Sequence, residues 1–154
     1  MPDTCLFCRM IQGEVATPLV YESEVAFAFL DHRPLFPGHC LVVPRRHIQT
    51  LADVPADLIG PFFAEVQLVA RAVEAATMAQ GTFVAMNNRI SQSVPHLHVH
   101  VVPRNRGDGL RGFFWPRTRY GSDEEMEAIQ EAVRAAVKAQ IAGERALPET
   151  SEPQ

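Results

Sequence analysis

Apolar positions along the chain recur at two periods, and each period marks a class of element. Spacings of three and four join Leu58, Phe62, Val66, Val69 and Val73, which predicts a helix from about Ala56 to Met78 with one face buried. Pro61 fits such a helix only near its first turns. Met126, Ile129, Val133, Val137 and Ile141 predict the buried stripe of a final helix, opened by the capping-box pair Ser122 and Glu125 and ended by Gly143. A shorter helix over Leu6 to Gln12 stops at Gly13.

Period two marks the strands. Val25, Phe27 and Phe29 alternate within Val25 to Leu30, predicting one face toward a core, and pair in a hairpin with Leu19 to Glu22 across Ser23 and Glu24. His39 to Val43 reads as a buried strand ended by Pro44, Thr82 to Met86 as a short strand, and Pro95 to Val102 as a strictly alternating strand closed by Pro103. Asp31 to Gly38 and Asn87 to Ser93 are loops. The order β-β-β-α-β-β-α predicts an α+β domain on an antiparallel sheet of about five strands, with a long central helix and a C-terminal helix. One domain over residues 1–142 and a polar, flexible tail over 143–154 follow, with no internal repeat.

Composition adds bounds. The 154 residues are 47% apolar and 21% charged, as in soluble globular proteins. The net charge of −4 argues against generic nucleic-acid binding. Apolar runs such as Cys40 to Val43 fall far below the roughly 20 residues that span a bilayer, and the N-terminus does not read as a secretory signal, so no membrane partner and a cytoplasmic location are expected. Charge is uneven, because Arg104, Arg106, Arg111, Arg117 and Arg119 surround a single acid, Asp108. These arginines read as a solvated segment, or one or two of them meet a polyphosphate. Three cysteines make a disulfide framework improbable; Cys40 reads as a buried thiol, and Cys5 and Cys8 are a metal pair, a redox pair or two buried thiols.

The informative stretch is His96-Leu97-His98-Val99-His100-Val101-Val102, because side chains on a strand alternate and three histidines two apart share one face. Each ring brings a donor and an acceptor that a structural role would have to satisfy. The outer two lie roughly 13 Å apart at 3.3 Å per residue, too far to share one ion, though a pair could. Nucleophilic catalysis fits best, with a neutral imidazole attacking phosphorus while neighbouring rings orient it and hold charged oxygens.

With His96 to Val102 matching the His-φ-His-φ-His-φ-φ signature, φ being apolar, the chain resembles the histidine triad superfamily, and bacterial nucleotide hydrolases within it. Cys5 to Ile11, Phe29 to Ile48 and Gln92 to Pro95 resemble further blocks of the family. The resemblance implies the histidine triad fold and hydrolysis, or nucleotidyl transfer, at the α-phosphorus of phosphoramidates or dinucleoside polyphosphates. His98 would carry the nucleotidyl group, oriented by the His96 carbonyl, while His100 holds phosphate oxygens and His39 is a further active-site histidine. Asp31 would bind the ribose hydroxyls, though it could instead cap the loop, and Phe7, Ile11 and Phe29 would line the base pocket, though each could be core. Gln92 and Ser93 match a polar pair at the phosphate and leaving group, with Ser93 able to pass a proton. Asn87 matches a phosphate-side asparagine; its loop is two residues shorter than the family pattern and lacks glycine, so Asn88 is the alternative.

Some bacterial members complete a zinc site with a histidine after the buried strand and the first of the triad. The matching ligands here are Cys5, Cys8, His47 and His96, implying structural zinc and no organic cofactor. A homodimer is also implied. The rival reading is a nucleotide-binding or scaffold protein whose triad does not turn over. Trp115 could shape the pocket, a dimer contact or the core.

Overall fold

A computed structural model describes residues 5–110 and 119–145, in two compact units divided after Leu110. The first unit carries α1 (Leu6–Ile11), β1 (Leu19–Glu22), β2 (Ala26–Leu30), β3 (Cys40–Pro44), a 3-10 turn (Leu51–Asp53), α2 (Ala56–Thr77), β4 (Gly81–Ala85) and β5 (Val99–Arg104). The strands form one antiparallel sheet in the order β1-β2-β3-β5-β4, so the expected α+β fold is present. Among the described residues no helix is long and apolar enough to cross a membrane.

The sheet is covered on both faces, which corrects the expectation that β2 turns one face to a core. Ala26 and Ala28 join Val42, Val99, Val101 and Leu97 beneath the α2 stripe of Phe62, Val66, Val69 and Val73. Phe27 and Phe29 project to the other side and pack with Phe7, Cys8, Leu41 and Val43. Small residues face the long helix and large ones face the short helix, so four consecutive β2 positions are buried. Cys40 is buried, as expected of a structural thiol.

Pro44 ends its strand as expected, whereas Pro103 stands inside the strand it was expected to close. Pro44 is the last residue of β3 and pairs with Ala26, while Pro103 lies within β5 opposite Thr82. β3 pairs with β5 only over Cys40–Val42 and Val99–Val101. Beyond that stretch each proline has a single strand beside it, and a missing N–H on the open side costs no ladder bond.

The turn into β3 depends on glycine. Gly38 has φ of +96°, and a Cβ there would stand 2.6 Å from Cγ2 of Thr77 at the end of α2. Gly38→Ala is therefore expected to cost about 2 kcal/mol through backbone strain and overpacking, read as a lower urea midpoint.

The second unit carries α3 (Asp123–Arg145), where the Glu125 N–H donates to Ser122 Oγ as the capping signature predicts. The helix runs through Gly143 rather than ending there. Met126 and Ile129 are 45% and 44% exposed, not buried as expected. An apolar stripe is covered only against a second element, and α3 is the one helix described in its unit. The side chains of Val133, Val137 and Ile141, together with Arg111, Trp115, Arg117 and the chain from Ala146 onward, lie outside the described residues.

Candidate active site and metal centre

The histidine segment alternates as predicted. Leu97, Val99 and Val101 are fully buried on the α2 side, and the imidazoles lie on the opposite side, where the Phe7 ring meets His96 and His98 edge-on at 5.9 and 5.4 Å between centroids. Regular strand starts only at Val99, later than the predicted Pro95. The reason is local: the Leu97 N–H still reaches the Ile48 carbonyl at 2.7 Å, but the His96 carbonyl leaves the ladder to accept from the His98 ring.

That bond fixes the central imidazole. His98 Nδ1–H donates to His96 O at 2.7 Å, so in the neutral ring the lone pair sits on Nε2. The ring is 3% exposed, yet Nε2 has no hydrogen-bond partner among the described residues, and among these no buried side-chain nitrogen or oxygen lacks one. Nε2 is therefore the part of the ring that solvent reaches. A buried ring with one open nitrogen can attack an electrophile without losing its orientation.

Its neighbour has the opposite polarity. The Leu35 N–H donates to His39 Nδ1 at 3.2 Å, which puts the His39 proton on Nε2. His39 Nε2–H then donates to His100 Nδ1 at 3.0 Å, leaving the His100 proton on its own Nε2 as a donor for an anion. Burial pushes the His100 pKa down to about 4, helped by His98 and His39, and burial also lowers that of His39, so this tautomer chain stays neutral at pH 7. At His100 the unfolded chain takes up a proton below about pH 6.5, whereas the folded one resists until about pH 4. The stability from neutral burial is complete above pH 6.5 and is lost as pH falls toward 4. We expect the urea midpoint to decline over that window, and His100→Gln to flatten the decline.

The first triad histidine serves a different neighbourhood. His96 Nε2–H donates to the Pro44 carbonyl at 2.8 Å, which leaves Nδ1 bare. Nδ1 lies 3.5 Å from Cys5 Sγ and 3.7 Å from Cys8 Sγ, and His47 Nδ1 lies 3.3 Å from Cys8 Sγ. All four ligand atoms fall within 4.8 Å of one another. Tetrahedral zinc at ordinary bond lengths would set sulfur and nitrogen about 3.6 Å apart, so this quartet is compatible with zinc. A carbonyl on the far nitrogen of a ligand histidine is the usual orienting partner of such sites. Without a cation, burial and the adjacent Cys5 push the Cys8 thiol up to about 11, and burial pushes His96 down to about 4. The outer triad histidines thus serve separate clusters, as their spacing requires.

The remaining candidates divide. Phe7 and Phe29 are 5% and 3% exposed and stack edge-on at 5.4 Å, with Ile11 packed beside them. Asp31 Oδ1 accepts the Arg33 N–H at 2.9 Å, capping the loop, while Oδ2 lies 3.7 Å from His39 Nδ1. Gln92 is spent on backbone groups: its amide donates to the Gln49 carbonyl at 2.7 Å and accepts the Arg89 N–H at 2.8 Å. Asn88 Oδ1 holds the Leu51 N–H at 2.7 Å, whereas Asn87 makes one 3.4 Å bond to the Ser91 carbonyl and is the freer of the two. Arg89 and Ser91 adopt φ of +68° and +60°, the left-handed turns that this glycine-free loop must make. Ser93 is exposed and lines a cavity shared with Cys5 and His47. Arg104 is bound to both Asp108 carboxylate oxygens and to the Leu110 carbonyl, which removes it from the set available to a polyphosphate. Sequence reasoning missed Leu35 and Pro44, whose contributions are backbone groups with no side-chain signal.

Comparison with known proteins identifies the family. The HIT domain model matches residues 12–107. An uncharacterized HIT-like protein of Mycobacterium tuberculosis is 36% identical over 143 residues, covering 90% of this chain and 96% of its own. A crystal structure from Streptococcus mutans superposes with a TM-score of 0.79 at 31% identity, covering 89% of this chain and 87% of that one. A zinc-bound histidine triad family protein from Mycobacterium smegmatis superposes at 0.65 with 33% identity, covering 89% and 97%. With the triad in its matched region and family-wide likeness along most of its length, this chain belongs to the HIT, or histidine triad, family.

Proposed function

We propose that this protein hydrolyses nucleoside phosphate derivatives at the α-phosphorus through a nucleotidyl group carried on His98. The observation that carries the reading is the His98 ring, tied at Nδ1 to the His96 carbonyl with Nε2 open. In the first step a bond forms from Nε2 to phosphorus as the bond from phosphorus to the leaving group breaks, and the leaving group takes a proton from solvent, which Ser93 can relay. In the second step water attacks phosphorus, the nitrogen–phosphorus bond breaks, and nucleoside monophosphate and a proton are released. His100 Nε2–H serves the phosphate oxygens in both steps, held by His39. Phe7, Phe29 and Ile11 take the base, Asp31 the ribose, and Asn87 the phosphate side. Gln92 supports the loop instead of touching substrate.

Relatives named for their activities support the general chemistry and differ in the leaving group. They include an adenosine 5'-monophosphoramidase and an asymmetrical bis(5'-nucleosyl)-tetraphosphatase, both of Schizosaccharomyces pombe, 28% and 30% identical, and an adenylylsulfatase of Arabidopsis thaliana, 31% identical. The quartet Cys5, Cys8, His47 and His96 would hold zinc in a structural role, fastening the N-terminal segment to the catalytic strand. The expected homodimer belongs to the same reading; the sheet has two edge strands, β1 and β4, the latter with Val84 43% exposed.

Mass spectrometry of protein quenched during turnover tests the proposal. An acid-labile nucleotidyl adduct should map to His98. Nucleotide binding without adduct or release would favour the non-catalytic rival.

A further inference from the structure

Cys5 and Cys8 belong to the metal quartet, but their places on α1 give them a second chemistry. Cys5 is the N-cap residue, with extended backbone at φ −80° and ψ 118°, and Cys8 stands three positions on, within the first helical turn. An N-cap side chain folds back over that position, which is the geometry of a capping box. Cys5 makes no side-chain cap bond, and its sulfur instead lies within 4.8 Å of the Cys8 sulfur. Closing that gap to the roughly 2 Å of a disulfide needs side-chain rotation within one short segment and displaces no strand.

The two sulfurs differ in access. Cys8 is fully buried, whereas Cys5 lines a cavity of about 450 Å³ together with Leu6, His47, Gln49 and Ser93. A peroxide is little larger than water, whose share of liquid volume is about 30 Å³, so the cavity admits it to Cys5. Two of the four quartet members, Cys5 and His47, border the same cavity. The third cysteine of the chain takes no part: Cys40 is buried on the α2 side of the sheet, its thiol 3.5 Å from the Gly38 carbonyl.

The cluster reaches the nucleophile through His96. Its Nδ1 faces both sulfurs, and its carbonyl accepts the His98 ring N–H at 2.7 Å. Phe7, between the two cysteines, stands edge-on to His98. Without the two sulfurs only His47 and His96 remain, and two neutral imidazoles hold a zinc ion far more weakly than a set that includes two thiolates.

We propose that Cys5 and Cys8 form a peroxide-sensitive clip, whose oxidation to a disulfide dismantles the metal quartet and releases the N-terminal segment from the strand that carries His98. The inference rests on the zinc reading above and, for its effect on turnover, on the proposed role of His98. In the first step the Cys5 sulfur attacks a peroxide oxygen, the oxygen–oxygen bond breaks, and Cys5 becomes a sulfenic acid as one water leaves. In the second the Cys8 sulfur attacks the Cys5 sulfur, the sulfur–oxygen bond breaks, and a second water leaves, its proton supplied by solvent. Two electrons pass from the sulfurs to the peroxide, and the cation leaves with its charge unchanged. A dithiol returns the two electrons and restores the clip.

The test treats the full chain, loaded with zinc under reducing conditions, with a small excess of hydrogen peroxide. Free zinc is followed with a colorimetric chelator, thiols are counted, and the midpoint of thermal unfolding is read. Zinc should appear in step with the loss of two thiols, and the midpoint should fall as it does on chelation. The tryptic peptide Met1–Arg9, which contains both cysteines, should lose two hydrogens while Cys40 stays reduced. Turnover of adenosine 5'-phosphoramidate should fall about tenfold as the His98 ring loses its fixed placement. Dithiothreitol with added zinc should reverse every change, and Cys40→Ala should respond as the native protein does. A chain that takes up no zinc, zinc that stays bound while thiols are lost, oxidation that falls on Cys40, or full turnover by the disulfide form overturns the clip. Absence of turnover in the reduced protein counts against the hydrolysis reading alone, and zinc, thiols and midpoint then decide the clip.

Discussion

Replacing His98 with alanine should lower kcat/KM for adenosine 5'-phosphoramidate by about 10⁴-fold, because the nucleophile disappears while the binding groups remain. Far-ultraviolet circular dichroism should still report the folded sheet and helices. His98→Gly supplies a sharper version, since it opens space where free imidazole can stand in for the missing ring. Added imidazole should then restore nucleotide release in a concentration-dependent way. Loss of activity below tenfold in His98→Ala would mean that another group attacks phosphorus.

Cys8→Ser should have the largest effect on stability. Cys8 is fully buried and faces both His47 and His96, so removing its sulfur breaks the quartet at its most connected member. Bound zinc should fall from about one per chain to near none, and the thermal midpoint should drop by about 10 °C, corresponding to about 3 kcal/mol for a domain of this size. Chelation of the native protein should produce a similar drop, and should do nothing further to Cys8→Ser, because the two changes remove one and the same interaction. A chelator-sensitive midpoint that persists in Cys8→Ser would place the metal elsewhere.

The site was legible where its signal is carried by side chains at a fixed period. Three histidines two apart on an apolar strand can only share a face, and the two cysteines three apart, with His47 and His96, do come together. The sequence pattern also carried the element order and the α2 stripe. What escaped it was set by partners far along the chain. Pro103 stays within β5 because β3 no longer pairs with it there, a fact of topology and not of the proline. The Gln92 amide looked available for phosphate, but the Gln49 carbonyl 43 positions away occupies it. Arg104 reads in sequence as part of a basic patch, but Asp108, four residues on, chelates its guanidinium. The burial of all of Ala26 to Phe29 reflects a second layer, α1, whose six residues are too few to announce an amphipathic face.

The amide of Leu35 has a consequence for ion selectivity. Asp31, His39 and His100 gather donor atoms as closely as the cysteine quartet does, and by proximity alone would form a second metal trap. A main-chain N–H cannot be titrated away at any physiological pH, so it holds the His39 lone pair occupied and turns the pair of rings outward, hydrogen first. Divalent cations meet a proton there instead of an electron pair. The outer triad histidines, roughly 13 Å apart at strand rise, thus present one cluster compatible with a cation and one turned toward an anion, without either poisoning the other.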